Sequence, residues 1–279
     1  MLNQLLDVLS PVQQADQSFL AQNMHPRAMR VYGGQVLGQA LRVAAATVDK
    51  DRPVHSQHAY FLRPGNPREE IVFEVEHALD GGSLSSRRVV ALQQGKPILV
   101  CSVSFMLDGE GERFQQAMPD IPPPESLPNE RERSIADNSF NEDFMILTGE
   151  DLDVRLLDPV DWKQPVARKP VFHAWLKTRG PIEDQPGLHE ALLAYMSDSL
   201  LIDACLIANG QSFLQDDLQV ASLDHALWFH QAFRADEWLL HTVEAECVMG
   251  GRGLSRGRFF TRSGELVASS VQQGLMRYR

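Results

Sequence analysis

The sequence predicts an α+β protein made by duplication, each half a long helix followed by an antiparallel run of strands. Three observations carry this reading: self-similarity at a long fixed offset, one apolar helical stripe in each half, and Gly-marked turns between strand-like runs. The stretch Gly82-Ser-Leu-Ser-Ser86-Arg87 returns as Gly251-Arg-Gly-Leu-Ser255-Arg256, and Gly95 returns as Gly264, all 169 residues apart. His58-Ala-Tyr-Phe61 echoes His225 to Phe229 at an offset of 167, the difference that a two-residue indel leaves. A period this long marks a duplicated domain rather than a solenoid.

In the first half, Leu37, Leu41, Ala44 and Val48 form one stripe of a helix over Gly34–Val48, with Gly33-Gly34 at its start. Strands are expected at Gln57–Leu62, Ile71–Ala78, Arg88–Gln93 and Pro97–Met106, with Gly81-Gly82 and Gln94-Gly95 turning the chain. The second half opens with short strand-like runs at Val154–Leu157 and Phe172–Thr178. One helix from about Leu188 to Ala208 follows, then strands at Leu218–His230, Trp238–Val248, Ser255–Thr261 and Glu265–Met276. Between the halves, Pro119-Asp-Ile-Pro-Pro-Pro-Glu-Ser-Leu-Pro128 continues neither sheet nor helix and reads as a linker, with Asn129–Arg133 polar and exposed. The expected domains are therefore 1–110 and 151–279, joined by a Pro-rich connecting segment at 111–150.

Bulk properties exclude several function classes. Hydrophobic residues at 43% and charged residues at 23% are the balance of a globular protein with substantial cores. A formal net charge of −11 argues against a nucleic-acid partner. Cys101, Cys205 and Cys247 are sparse and lack CxxC spacing, which suits a reducing compartment and predicts neither a disulfide framework nor a metal site. The N-terminal residues lack the pattern of a signal peptide, and no apolar stretch reaches the length of a membrane span. The expected setting is the cytoplasm.

The sharpest anomaly is Asp198. Leu192 to Met196 and Leu200 to Ile202 make its helix apolar on nearly every side, the mark of a buried helix. A carboxylate buried there requires compensation. Asp198 is then either a cap on a local break, with Ser197 or Ser199, or a general base tuned by its surroundings. Asp203, five positions on, is expected to point elsewhere and to be structural. Ser222 and Gln272 interrupt two strands; alternation places Ser222 with Asp224 and Ala226, and Gln272 with Ser270 and Gly274. Periodicity alone does not bring either beside Asp198, and each on its own reads as an ordinary strand residue.

The chain resembles the bacterial acyl-CoA thioesterase II family and its peroxisomal relatives. The segments that carry the resemblance are Tyr32-Gly-Gly-Gln-Val-Leu-Gly-Gln39, His58-Ala-Tyr-Phe-Leu-Arg-Pro-Gly65 and Gly95-Lys-Pro-Ile98. In the second half they are Tyr195-Met-Ser-Asp198, Val220-Ala-Ser-Leu-Asp-His-Ala-Leu-Trp-Phe-His230 and Val271-Gln-Gln-Gly-Leu-Met-Arg277. The resemblance implies a double hotdog fold, two tandem domains in which a curved antiparallel sheet wraps a long helix. It also implies hydrolysis of medium- to long-chain fatty acyl-CoA by a water that Asp198 activates and Ser222 and Gln272 orient. Some members carry Thr where this chain has Ser222; the hydroxyl is kept, and the missing methyl loosens its rotamer. Gly34, at a helix start, is a candidate for holding the substrate's oxyanion, and Arg63 and His58 are further substrate-binding candidates.

Several competing signals are weaker. Gly251-Arg-Gly-Leu-Ser-Arg-Gly257 lacks both the GxGxxG spacing and the strand–turn–helix setting of a dinucleotide loop. No GxSxG elbow is present, so Ser222 is not read as a nucleophile. His55 and His58 lack clustered partners for a metal, and neither a metal nor a cofactor is expected. His58 and His225 read first as hydrogen-bonded strand histidines. The alternatives to a thioesterase are a hotdog enoyl-CoA hydratase or dehydratase, with His58 or His225 catalytic, and a non-catalytic acyl-CoA-binding module. Arg277-Tyr-Arg279 is not a peroxisomal address. Sheet edges invite pairing between subunits, so a homodimer or homotetramer is expected.

Overall fold

Alternation of buried and exposed side chains decides most of this molecule, because each strand presents one face to a helix and one away from it. The computed structural model describes residues 2–137 and 149–279; the part of the connecting segment at 138–148 lies outside the described residues. Backbone contacts gather the chain into two compact units. One comprises Met1–Phe114, Ile182–Met196 and Ala226–Phe229, and the other Gln115–Pro181, Ser197–His225 and His230–Arg279.

The first unit contains α1 (Leu2–Val8), β1 (Val12–Gln13), β2 (Phe19–Ala21), α2 (Gly33–Ala45), β3 (Val54–Phe61), β4 (Ile71–Asp80), β5 (Leu84–Gln93) and β6 (Lys96–Met106). Its strands are antiparallel in the order β1-β2-β4-β5-β6-β3. The predicted helix and four strands are all present; α1, β1 and β2 escape the sequence reading because they are short. Gln94 and Gly95 both have positive φ, 48° and 71°, the geometry of a tight hairpin turn. Helix α2 is buried on nearly every side, with Gly34 to Leu41, Val43 and Ala44 all inside, and the amide of Gln39 donates to the carbonyls of Val8 and Gln22.

The second unit adds α3 (Glu130–Ala136), β7 (Leu152–Leu156) and β8 (Val171–Thr178). Next in the chain is α4 (Leu188–Ser197), of which all but Ser197 belongs to the first unit. Then come α5 (Leu201–Ile207), β9 (Leu218–Ser222), β10 (Asp224–Phe229, of which Ala226–Phe229 belongs to the first unit), β11 (Leu239–Met249), β12 (Arg252–Thr261) and β13 (Leu266–Tyr278). Its antiparallel order is β13-β12-β11-β8-β7, with β9 paired to β13. Helix, then meander, occurs twice along the chain, as the repeat predicts.

Helix α4 packs within the first unit on α2, and small residues set the distance. A Cβ at Gly38 would stand 2.8 Å from the carbonyl oxygen of Ala191, and one at Gly34 would overlap the carbonyl oxygen of Tyr195. Four residues apart on each helix, the two contacts form one line of close approach. Tyr32 closes the end of this line, its hydroxyl donating to the Tyr195 carbonyl at 2.9 Å.

Three expectations need correction, the first being the strand expected over Leu218–His230, which is two strands, β9 and β10, parted at Leu223. The helix expected from Leu188 to Ala208 is two helices, broken at Asp198–Leu200, with Leu200 left-handed at φ 66°. Apolar periodicity runs through the break, which the sequence offers only as the alternative reading of Asp198 as a cap. Locally, Ser197, Asp198 and Ser199 offer side chains that compete for backbone groups. The Asp203 carboxylate also accepts from the Leu200 N–H at the start of α5. Asn129 and Glu130, expected to be exposed, are buried: the Asn129 side chain caps α3 by accepting from the N–H groups of Arg131 and Glu132. The Pro-rich stretch before them lies on the second unit, where Met118, Ile121 and Leu127 pack against Trp175, Leu240 and Phe260. Trp175 Nε1 donates to the Pro122 carbonyl at 2.9 Å.

Candidate active site

Strand pairing brings Ser222 and Gln272 together. Ser222 ends β9 opposite Gly274 of β13, and Gln272 stands two residues before Gly274 on the same face. The Gln272 Nε2 donates to Ser222 Oγ at 3.1 Å. Gln272 is 1% exposed, so its amide is an interior group that must be satisfied within the protein. Its Oε1 lies 2.5 Å from Nδ1 of His225, and the other ring nitrogen of His225 lies 3.0 Å from Ser197 Oγ. Ser222, Gln272, His225 and Ser197 thus form one row, and Asp198 is the residue that follows Ser197. All five belong to the second unit.

Asp198 sits in the turn between α4 and α5, half-buried, with Oδ1 shielded from solvent. Burial here is partial, unlike that expected for the middle of an apolar helix, because the chain leaves the helix at this residue. Asp203 lies in the first turn of α5. Burial raises its carboxyl to about 7, and the nearby Asp198 carboxylate adds to the rise. The reading of Asp203 as structural is consistent with its bond to the Leu200 N–H, yet it does not point away from Asp198 electrostatically.

Burial holds His225 neutral, lowering it to about 4 against a smaller opposing effect of its Gln272 bond. A second buried histidine, His241, is lowered to about 3 by burial and by His225. His241 stacks flat on Phe259, ring centres 4.0 Å apart.

The other candidates lie in the first unit. Gly34 is in the first turn of α2 against the Tyr195 carbonyl. His58 is on the exposed face of β3, edge-on to Trp228 at 4.9 Å between ring centres. Arg63 is exposed and donates to the Pro97 carbonyl at 2.7 Å. His55 bonds Ser104 Oγ at 2.8 Å. The first reading of His225, a hydrogen-bonded strand histidine, holds; the sequence does not give which groups it bonds. Its echo of His58 was legible, but the two repeats differ in burial: His58 is exposed, whereas His225 is 1% exposed on the face shared with Leu227.

Among the described residues, no helix is long and apolar enough to cross a membrane. The family described as acyl-CoA thioesterase matches residues 158–275, and its N-terminal domain matches residues 20–106. The chain is 33% identical to acyl-coenzyme A thioesterase 8 of Mus musculus, with 91% of this chain and 82% of that protein covered. It is 32% identical to acyl-CoA thioesterase 2 of Haemophilus influenzae, over 99% and 98% of the two chains. The crystal structure of an acyl-CoA thioesterase II from Mycobacterium marinum superposes with a TM-score of 0.80 at 38% identity, covering 99% of this chain and 97% of that one. The two-fold helix-and-meander architecture is therefore the double hotdog, and the chain belongs to the acyl-CoA thioesterase II family, whose members hydrolyse acyl-CoA thioesters.

Proposed function

We propose that this enzyme hydrolyses medium- to long-chain fatty acyl-CoA with a water activated by Asp198 and oriented by Ser222 and Gln272. The observation that carries the reading is the direct bond from Gln272 to Ser222, made in the interior and tied through His225 to the residue preceding Asp198. A water held by Ser222 gives a proton to Asp198 as its oxygen attacks the thioester carbonyl carbon. The tetrahedral intermediate then breaks its carbon–sulfur bond. Asp198 returns the proton to the departing thiolate, leaving a fatty acid and coenzyme A. Residues flanking the site along the chain, Leu200, Leu201 and Ile202 after Asp198 and Val220 before Ser222, are buried apolar core residues that keep its surroundings low in polarity.

A hydratase reading would make His225 a base facing substrate. Both of its ring nitrogens are instead taken by Ser197 and Gln272 in the interior, which favours hydrolysis. The test is free-thiol release from acyl-CoAs of graded chain length, by the parent and by Asp198→Asn. Loss of a positioned base is expected to slow turnover by roughly 10²–10⁴-fold with the fold retained by circular dichroism. Undiminished thiol release in Asp198→Asn would discard this site.

A further inference from the structure

We infer that His225 is a positioning residue for hydrolysis: it holds the Gln272 amide in one orientation and thereby fixes Ser222 as a hydrogen-bond donor. This rests on the roles proposed above for Ser222 and Gln272. An amide can present either its oxygen or its nitrogen to a neighbour, and the two choices give Ser222 opposite roles. With Gln272 Nε2 toward it, Ser222 Oγ accepts a bond and keeps its own proton to donate outward. With the amide reversed, the hydroxyl proton would be consumed by Gln272 Oε1. Something must choose, and His225 is the group in contact with the far side of the amide.

Ring tautomer and amide orientation are locked together, and the structure sets Gln272 Nε2 toward Ser222 and Oε1 toward the ring; the protons follow from that arrangement. His225 is buried and neutral, so its ring carries one N–H. Gln272 Oε1 has no proton to give, so the ring N–H is at Nδ1, donating to it across 2.5 Å. Nε2 then bears a lone pair and accepts from the Ser197 hydroxyl at 3.0 Å. Every donor in the row points the same way: Ser197 to His225, His225 to Gln272, Gln272 to Ser222. The last member, Ser222, is left to donate to the reacting water. Because the row begins at Ser197, the same imidazole also tethers the turn that carries Asp198. His225 touches neither water nor substrate in this scheme; it acts through the amide.

The test uses the intact enzyme. Nitrogen-15 NMR of the parent is expected to show His225 protonated at Nδ1 and unprotonated at Nε2. In His225→Leu, kcat is expected to fall about 10²-fold, the cost of a misplaced reacting group, with KM little changed. His225→Asn, whose amide N–H stands near the former Nδ1–H, is expected to recover most of that loss. An Nε2-protonated or cationic ring overturns the inference, whether or not the variants fold. So does equal loss of kcat in the Leu and Asn variants, or a parental kcat in His225→Leu while Asp198→Asn and Gln272→Ala are impaired. Parental kcat in Asp198→Asn and Gln272→Ala as well would instead remove the underlying site.

Discussion

Neutral histidines in the interior make this fold sensitive to acid. His225 and His241 ionise ordinarily near 6.5, but burial holds them neutral down to about 4 and about 3. The unfolded chain therefore binds protons more readily, and stability present above 6.5 is lost as pH falls through these values. Asp203 works in the opposite sense. Its carboxyl is raised from 3.8 to about 7, so its contribution is full below 3.8 and is lost as pH rises through about 7. His241 pays a further cost, since neither ring nitrogen finds a hydrogen-bond partner among the described residues. His241→Phe keeps the stack on Phe259 and removes both unsatisfied nitrogens. It is expected to raise stability by about 1–3 kcal/mol at neutral pH and by more at pH 5, as read by urea unfolding at both. At Ser222, Thr is expected to preserve turnover within a few-fold, because the hydroxyl remains. Ala would strand the Gln272 N–H, lowering both turnover and the denaturation midpoint by thiol-release and urea assays.

The contact between α2 and α4 shows two effects in competition. Alanine at Gly38 would favour a helix by about 1 kcal/mol through propensity. Its Cβ would meet the Ala191 carbonyl oxygen and a Leu9 methyl, both at 2.8 Å. Forced repacking costs about 1–3 kcal/mol, and a backbone carbonyl cannot swing aside as a side chain can. Gly38→Ala is therefore expected to lower the thermal midpoint. The elements themselves were largely legible, because a stripe such as Leu37, Leu41 and Ala44 and an alternation such as that of β13 are sequence properties. The break after Ser197 was legible only as one of two readings of Asp198. Asp203 reaches back there to the Leu200 N–H, a contact that apolar periodicity does not reveal. The site divides the same way: Ser222 and Gln272 stood out once the family resemblance was recognised, but their bond arises from the register of β9 on β13, which no local pattern encodes.

On the scale of the whole molecule, the Pro-rich stretch is part of the second unit's packing. Trp175 binds it through the Pro122 carbonyl, and Arg155 holds it through the carbonyls of Pro124 and Leu127 at 2.9 and 3.0 Å. Trp175→Phe is expected to cost about 1 kcal/mol for the lost bond and to hasten proteolytic cleavage within 119–128, followed by limited digestion. The composition of the first unit has a consequence for synthesis. Its strands β1–β6 and α2 come from the first 114 residues, but the α4 segment that covers Gly34 and Gly38 ends at Met196. At roughly 5–20 residues per second, the ribosome needs seconds to supply it. Throughout that interval the nascent chain carries α2 with one flank uncovered, a surface for chaperones to guard. A messenger truncated at the linker would leave that flank bare permanently, so the first half made alone would carry an uncovered helix.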